Sequence, residues 1–164
     1  MNVAAAMNEL EGALSDLVPV LSQLRALLIA QREAIAAGDL SRLLAVTTEQ
    51  EEASARLQFL EQRRARLQAE LEATLAVRGL RALAAAALPE VTRREEFLAI
   101  AQEMLRTAVA LHAESERAAV LLTAAIEVSL RTRGFLHRSS GGEPSYSAAI
   151  GYRRAPHAPP QGGS

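Results

Sequence analysis

The chain has 164 residues, 49% of them apolar, a formal net charge of -1 with a pI near 6.3, and no cysteine. That is one domain's worth of sequence with enough apolar material to bury a core. Disulfides and thiolate chemistry are excluded, and a near-neutral field exerts no long-range pull on phosphate backbones or anionic lipid, so nucleic acid is not an expected partner.

The segment from Met1 to Met7 lacks a basic start and runs into Glu9 and Glu11, so it does not read as a secretory signal, and the protein is expected in the cytoplasm. The first helix is expected over about residues 8–36, where Leu10, Leu14, Leu17, Leu21, Leu24 and Leu28 alternate at spacings of four and three and share one face. Pro19 removes an amide from this run, which predicts either a kink near Leu17 or an effective start near Val18 with Ser15 and Asp16 helping to cap it. Gly38 suits the left-handed residue that ends a helix, and Asp39 can accept from the first free amides of the next one.

A second helix follows over about residues 40–77, ending at Gly79, with Leu40, Leu43, Val46, Leu57, Leu60, Leu67, Leu71 and Leu75 as its stripe. The two stripes predict an antiparallel hairpin. A connector helix is expected over about 80–88, closed by Pro89. The third long helix, about 93–133, opens on the capping-box spacing Thr92–Glu95 and stops at Gly134. Its apolar positions run through Phe97, Ile100, Met104, Leu105, Ala108, Leu111, Ala118, Leu122, Ile126 and Leu130 at near-heptad spacing.

Forty residues of helix span about 60 Å, so the expected fold is all-α: an elongated antiparallel hairpin or three-helix bundle of long coiled-coil-like helices. The helical domain is expected over 1–138 and a flexible Ser/Gly/Pro-rich tail over 139–164. Glu61/Arg64, Glu103/Arg106, Glu114/Arg117, Glu52/Arg56 and Glu127/Arg131 are spaced three or four apart and read as solvated faces. The longest uncharged apolar run in the helices, Ala118 to Ile126, is about half of the ~20 residues a membrane span requires, so no insertion is expected.

Chemistry is scarce. Histidine occurs at His112, His137 and His157 and aspartate at Asp16 and Asp39 alone, too few titratable groups to build a catalytic cleft. His112 with Glu114 and Glu116 lacks the Glu-x-x-His pair of a di-metal bundle, because position 109 is Val109. Gly141-Gly142 has no lysine behind it and reads as linker, and Arg63-Arg64-Ala65-Arg66 has Glu61 and Glu70 one turn away. No enzyme, cofactor or metal is expected.

The excess is apolar. Val120, Leu121, Leu122, Ile126, Val128, Leu130, Phe135 and Leu136 cover more of the helix circumference than one hairpin partner shelters. Two readings follow: closer packing or self-association through a coiled-coil spacer, and a surface that accepts an amphipathic segment of another protein. Tyr146 and Tyr152 stand in the tail, where an aromatic with a polar tip can anchor a second contact.

The run Leu24-Arg25-Ala26-Leu27-Leu28-Ile29-Ala30-Gln31-Arg32-Glu33-Ala34-Ile35-Ala36-Ala37-Gly38-Asp39-Leu40-Ser41-Arg42-Leu43 resembles the opening helix, Gly-Asp joint and second-helix start of the FlgN family of flagellar type III export chaperones. Thr47-Thr48-Glu49-Gln50-Glu51-Glu52 with Leu57, Leu60, Glu61 and Arg63 is similar to that family's second helix, and the long third helix and the tail residues Tyr146 and Gly151 complete the likeness. The resemblance implies a cytoplasmic chaperone without nucleotide or metal. Such a chaperone would bind the C-terminal helical segments of hook-filament junction proteins, prevent their premature association and deliver them to the export gate. It implies cargo contacts at Leu111, Leu121, Leu122, Ile126, Leu130 and Phe135, and docking at an export-gate component through Tyr146. The competing expectation is a coiled-coil oligomerisation or spacer module with no export role, which would form a tight oligomer, whereas a weak homodimer is compatible with the chaperone.

Overall fold

A computed structural model describes residues 2–139. Four helices follow one another, α1 (Val3–Ala37), α2 (Leu40–Leu75), α3 (Leu80–Ala87) and α4 (Val91–Ser139), and the described residues are all-helical apart from the joints. The contacts divide the chain into two units, Met1–Ala125 and Ile126–Ser164.

The α1–α2 joint is built as its residues dictate. Gly38 takes the left-handed conformation at φ 67°, its N–H donates to the Ile35 carbonyl at 3.1 Å, and the Asp39 N–H donates to the Ala34 carbonyl at 3.0 Å. These two bonds close α1 with a Schellman motif. Asp39 then opens α2, its Oδ1 accepting the Arg42 N–H at 2.9 Å. Across the joint the Arg42 guanidinium meets Glu33 at 2.8 Å.

The helix ends differ from the sequence expectation in four places. α1 starts at Val3, capped by Asn2 rather than by Ser15 or Asp16, and it continues through Pro19. Pro19 faces solvent while Leu14, Leu17, Val20 and Leu21 on the opposite side are buried, so the carbonyl left without an amide partner lies on the wet face. α2 ends earlier than expected, at Leu75, because Ala76 adopts the left-handed conformation (φ 54°), while Gly79 stands before α3 instead.

α4 begins at Val91, so Thr92 lies inside its first turn. Glu90 takes the cap position, with its carbonyl accepting the Arg94 N–H at 3.1 Å. Arg94 also donates from its side chain to the Leu88 and Pro89 carbonyls, using the end of α3 as an anchor. Gly134 does not stop α4, which runs on to Ser139; a glycine in a helix costs about 1 kcal/mol relative to alanine but breaks no hydrogen bond.

In the Met1–Ala125 unit the core forms two groups. One holds Met7, Leu10, Leu14, Leu71, Leu83 and Phe97, tying α3 and the start of α4 to the far end of the hairpin. The other holds Leu17, Val20, Leu21, Leu24 and Leu27 from α1 against Val46, Ala53 and Leu60 from α2, with Met104, Ala108 and Leu111 of α4 packed on it. Leu40 departs from its predicted place in the stripe: it lies at the joint and stays exposed.

By length and composition α1 is apolar enough to cross a membrane, although scattered charges interrupt its apolar run. In this fold its apolar stripe from Met7 to Leu27 is buried in the helical core.

Candidate functional site

α1 and α4 run in the same direction and in step. Arg93 of α4 meets Glu11 of α1 at 3.0 Å, and three heptads further along both helices Arg32 of α1 meets Glu114 of α4 at 2.7 Å. The interior positions of α4 keep the three/four spacing through Phe97, Ala101, Met104, Ala108, Leu111, Glu114, Ala118 and Leu121. One of these, Glu114, is a carboxylate and is only 3% exposed.

A buried carboxylate is tolerated where cations compensate it. Glu114 has two: Arg32 Nη1 at 2.7 Å from Oε1, and Arg117 Nη1, which donates to Oε2 at 3.3 Å. The Arg32 contact is close but poorly aligned for a hydrogen bond, so Oε1 is held by charge rather than by a directed N–H. This corrects the expectation that Glu114/Arg117 is a solvated pair. The signal was present, since Glu114 falls on the apolar stripe between Leu111 and Ala118, but its partner Arg32 is remote in sequence.

The same in-step pairing sets Ala37, the last residue of α1, level with Ala119 of α4, so Val120, Leu121 and Ala124 lie past the end of α1. An open groove of about 710 Å³ runs from beside the last turns of α1 to this point, lined by Arg32, Ala113, Glu116, Arg117, Val120, Leu121 and Ala124.

The sequence-predicted cargo residues divide by environment. In the first unit Leu111 is half-buried against the core, Leu121 is half-buried on the groove, and Leu122 is 43% exposed. In the second unit Ile126, Leu130 and Phe135 are 52%, 63% and 64% exposed. Tyr146 and Tyr152 lie outside the described residues.

The polar candidates are local pairs. His112 is exposed with Nε2 at 3.5 Å from Glu116, and among the described residues no group of three acidic, histidine or cysteine side chains is arranged to hold a metal. Arg64 pairs with Glu61 and Arg66 with Glu70, and the Glu70 carboxylate raises the Arg66 guanidinium above its ordinary range through a hydrogen bond and its charge.

The family model described as FlgN protein matches residues 1–154. The chain belongs to the FlgN family. This FlgN-family protein is therefore a flagellar export chaperone in the general sense, from a family of soluble chaperones that bind flagellar proteins and are not known as enzymes. No curated protein and no solved structure matches the chain.

Proposed function

We propose that this FlgN-family protein is a cytoplasmic carrier that holds the C-terminal helical segments of hook-filament junction proteins, prevents their premature association and delivers them to the type III export gate. The observation that supports it is the row of exposed apolar side chains on α4: Val120 and Leu122, and in the second unit Ile126, Val128 and Leu130. A segment destined for a helical assembly carries an apolar stripe of its own, and an unassembled stripe in solution invites aggregation. Exposed apolar positions on a helix offer such a stripe a temporary partner without any chemistry.

In this reading Leu122, Ile126, Leu130 and Phe135 supply the main apolar contacts, Leu111 and Leu121 contribute the part of their surface that the core leaves open, and Tyr146 contacts a component of the export gate. Co-purification with junction-protein C-terminal segments tests it. The Leu122→Glu/Ile126→Glu double variant should keep its helicity and lose the cargo; retained cargo in a folded double variant overturns the surface. Light scattering tests the competing spacer reading, for which the cargo-free protein would be a tight, concentration-independent oligomer rather than a monomer or weak dimer. Tyr146→Ala should keep cargo and lose capture by the export-gate component.

A further inference from the structure

The arginines of α2 divide into two sets. Arg42, Arg64 and Arg66 are taken up by Glu33, Glu61 and Glu70 at 2.8, 2.9 and 2.8 Å. Arg56 and Arg63 are exposed, and within the described residues neither holds an ion pair or a side-chain hydrogen bond. The Glu52/Arg56 pair expected from its four-residue spacing does not form, and of the run Arg63-Arg64-Ala65-Arg66 the first guanidinium is left over.

Phe59 stands between these two arginines and is 67% exposed. The helix neighbours one turn from it are Ala55 and Arg56 on one side and Gln62 and Arg63 on the other, all exposed. Two guanidiniums, a methyl group and an amide therefore surround the ring, with no carboxylate among them; Glu52 lies a further turn out, and so does Glu70, which Arg66 holds. Leu57 joins the core group that Met104, Ala108 and Leu111 of α4 pack on, and Phe59, two positions further along, turns about 160° away from it. An aromatic anchor flanked by arginines is the composition of a protein-binding hot spot. Arg56 and Arg63 are seven residues apart, about 10 Å along the axis, which is also the separation of positions i and i+7 on a second helix. An occupant that matches this face carries an apolar residue over Phe59 and a carboxylate about one turn to each side of it.

We infer that the Arg56–Phe59–Arg63 face of α2 docks an acidic helix of a partner protein, one in which two carboxylates seven residues apart bracket an apolar side chain. Phe59 supplies the apolar contact, and the two guanidiniums set the register and the sign of charge that is accepted. This docking contact goes beyond the carrier reading, since it lies on a different helix and uses none of the exposed apolar residues of α4.

The test uses the full chain and fluorescein-labelled, alanine-rich helical peptides with a central Leu and, at two positions seven apart around it, a pair of Glu, Gln or Lys residues; binding is read by anisotropy. The Glu peptide should bind roughly tenfold tighter than the Lys peptide, with the difference shrinking as salt rises. Arg56→Glu/Arg63→Glu should reverse the order, Phe59→Ala should weaken the Glu peptide without lowering the melting temperature, and Arg25→Glu, at an exposed arginine of α1, should change nothing. Moving the two Glu residues to a spacing of five, which puts them on different faces, should abolish the preference. Equal affinity for the three peptides, an order that survives the double charge reversal, or an unchanged preference at the spacing of five overturns the inference. Self-association of the peptide-free protein that is lost on Arg56→Glu/Arg63→Glu assigns the face to a second copy of this chain and overturns the partner helix.

Discussion

Arg32 of α1 and Glu114 of α4 meet at 2.7 Å with the arginine side chain 31% exposed and the glutamate side chain 4% exposed. Such a pair is asymmetric. Deleting the arginine strands a carboxylate in the interior, whereas replacing the carboxylate with an apolar group of similar size leaves an arginine that can turn to water. Arg32→Ala is expected to cost about 2 kcal/mol, and Glu114→Leu less than half of that. Equilibrium urea unfolding of the two variants checks the order; equal losses would mean that the pair behaves as a surface bridge.

The α1–α2 joint makes a second prediction. Gly38 sits at φ 67° and Ala76, closing α2, at φ 54°. A side chain in the left-handed region costs about 1 to 2 kcal/mol, so Gly38→Ala should destabilise by about 1 kcal/mol and Ala76→Gly should stabilise by up to the same amount. Thermal melts of the two single variants should move in opposite directions.

These two positions show what can be read locally. The Gly38-Asp39 joint is legible because both of its devices, a left-handed glycine and a capping aspartate, act within five residues. The α1 stripe is legible for the same reason, since Leu10 to Leu24 repeat on one face. The start of α4 is not, because two signals compete there: the Thr92–Glu95 spacing points to one cap, while the extended Leu88 before Pro89, held by Arg94, lets the helix begin at Val91. The buried Glu114 depends on the in-step pairing of α1 and α4, which no local pattern carries. The apolar surplus on α4 is legible as a surplus, but its division between a groove and an exposed opposite flank depends on the point at which α1 stops.

Core and exposed aromatics should separate cleanly. Phe97 is fully buried among Leu10, Leu14, Leu71 and Leu83, where Phe→Ala leaves a cavity worth about 3 to 5 kcal/mol. Phe59 on α2 is exposed, and Phe59→Ala should change stability by less than about 0.5 kcal/mol. Far-UV circular dichroism under urea distinguishes them, and a large loss at Phe59 would reveal a contact outside the bundle.

Glu72 links the ends of α2 and α3 and sets a pH dependence. Its Oε1 accepts from the Gln68 side-chain amide at 2.7 Å and from the Gly79 N–H at 2.9 Å, and these bonds, the Gln68 one first, lower its carboxyl below the ordinary value, with Arg78 adding its charge. A carboxyl whose pKa is lowered on folding stabilises the fold fully above its unfolded value, and that contribution is lost as the pH falls through the lower folded value. The same bonds hold Gly79, at φ 85°, in the conformation from which α3 departs. Glu72→Gln should therefore be less stable than the wild type at neutral pH, with the gap between their melting temperatures closing as the solution is acidified through the carboxylate range. A gap that stays constant into acid would assign the loss to the altered hydrogen-bonding geometry of the amide rather than to the charge.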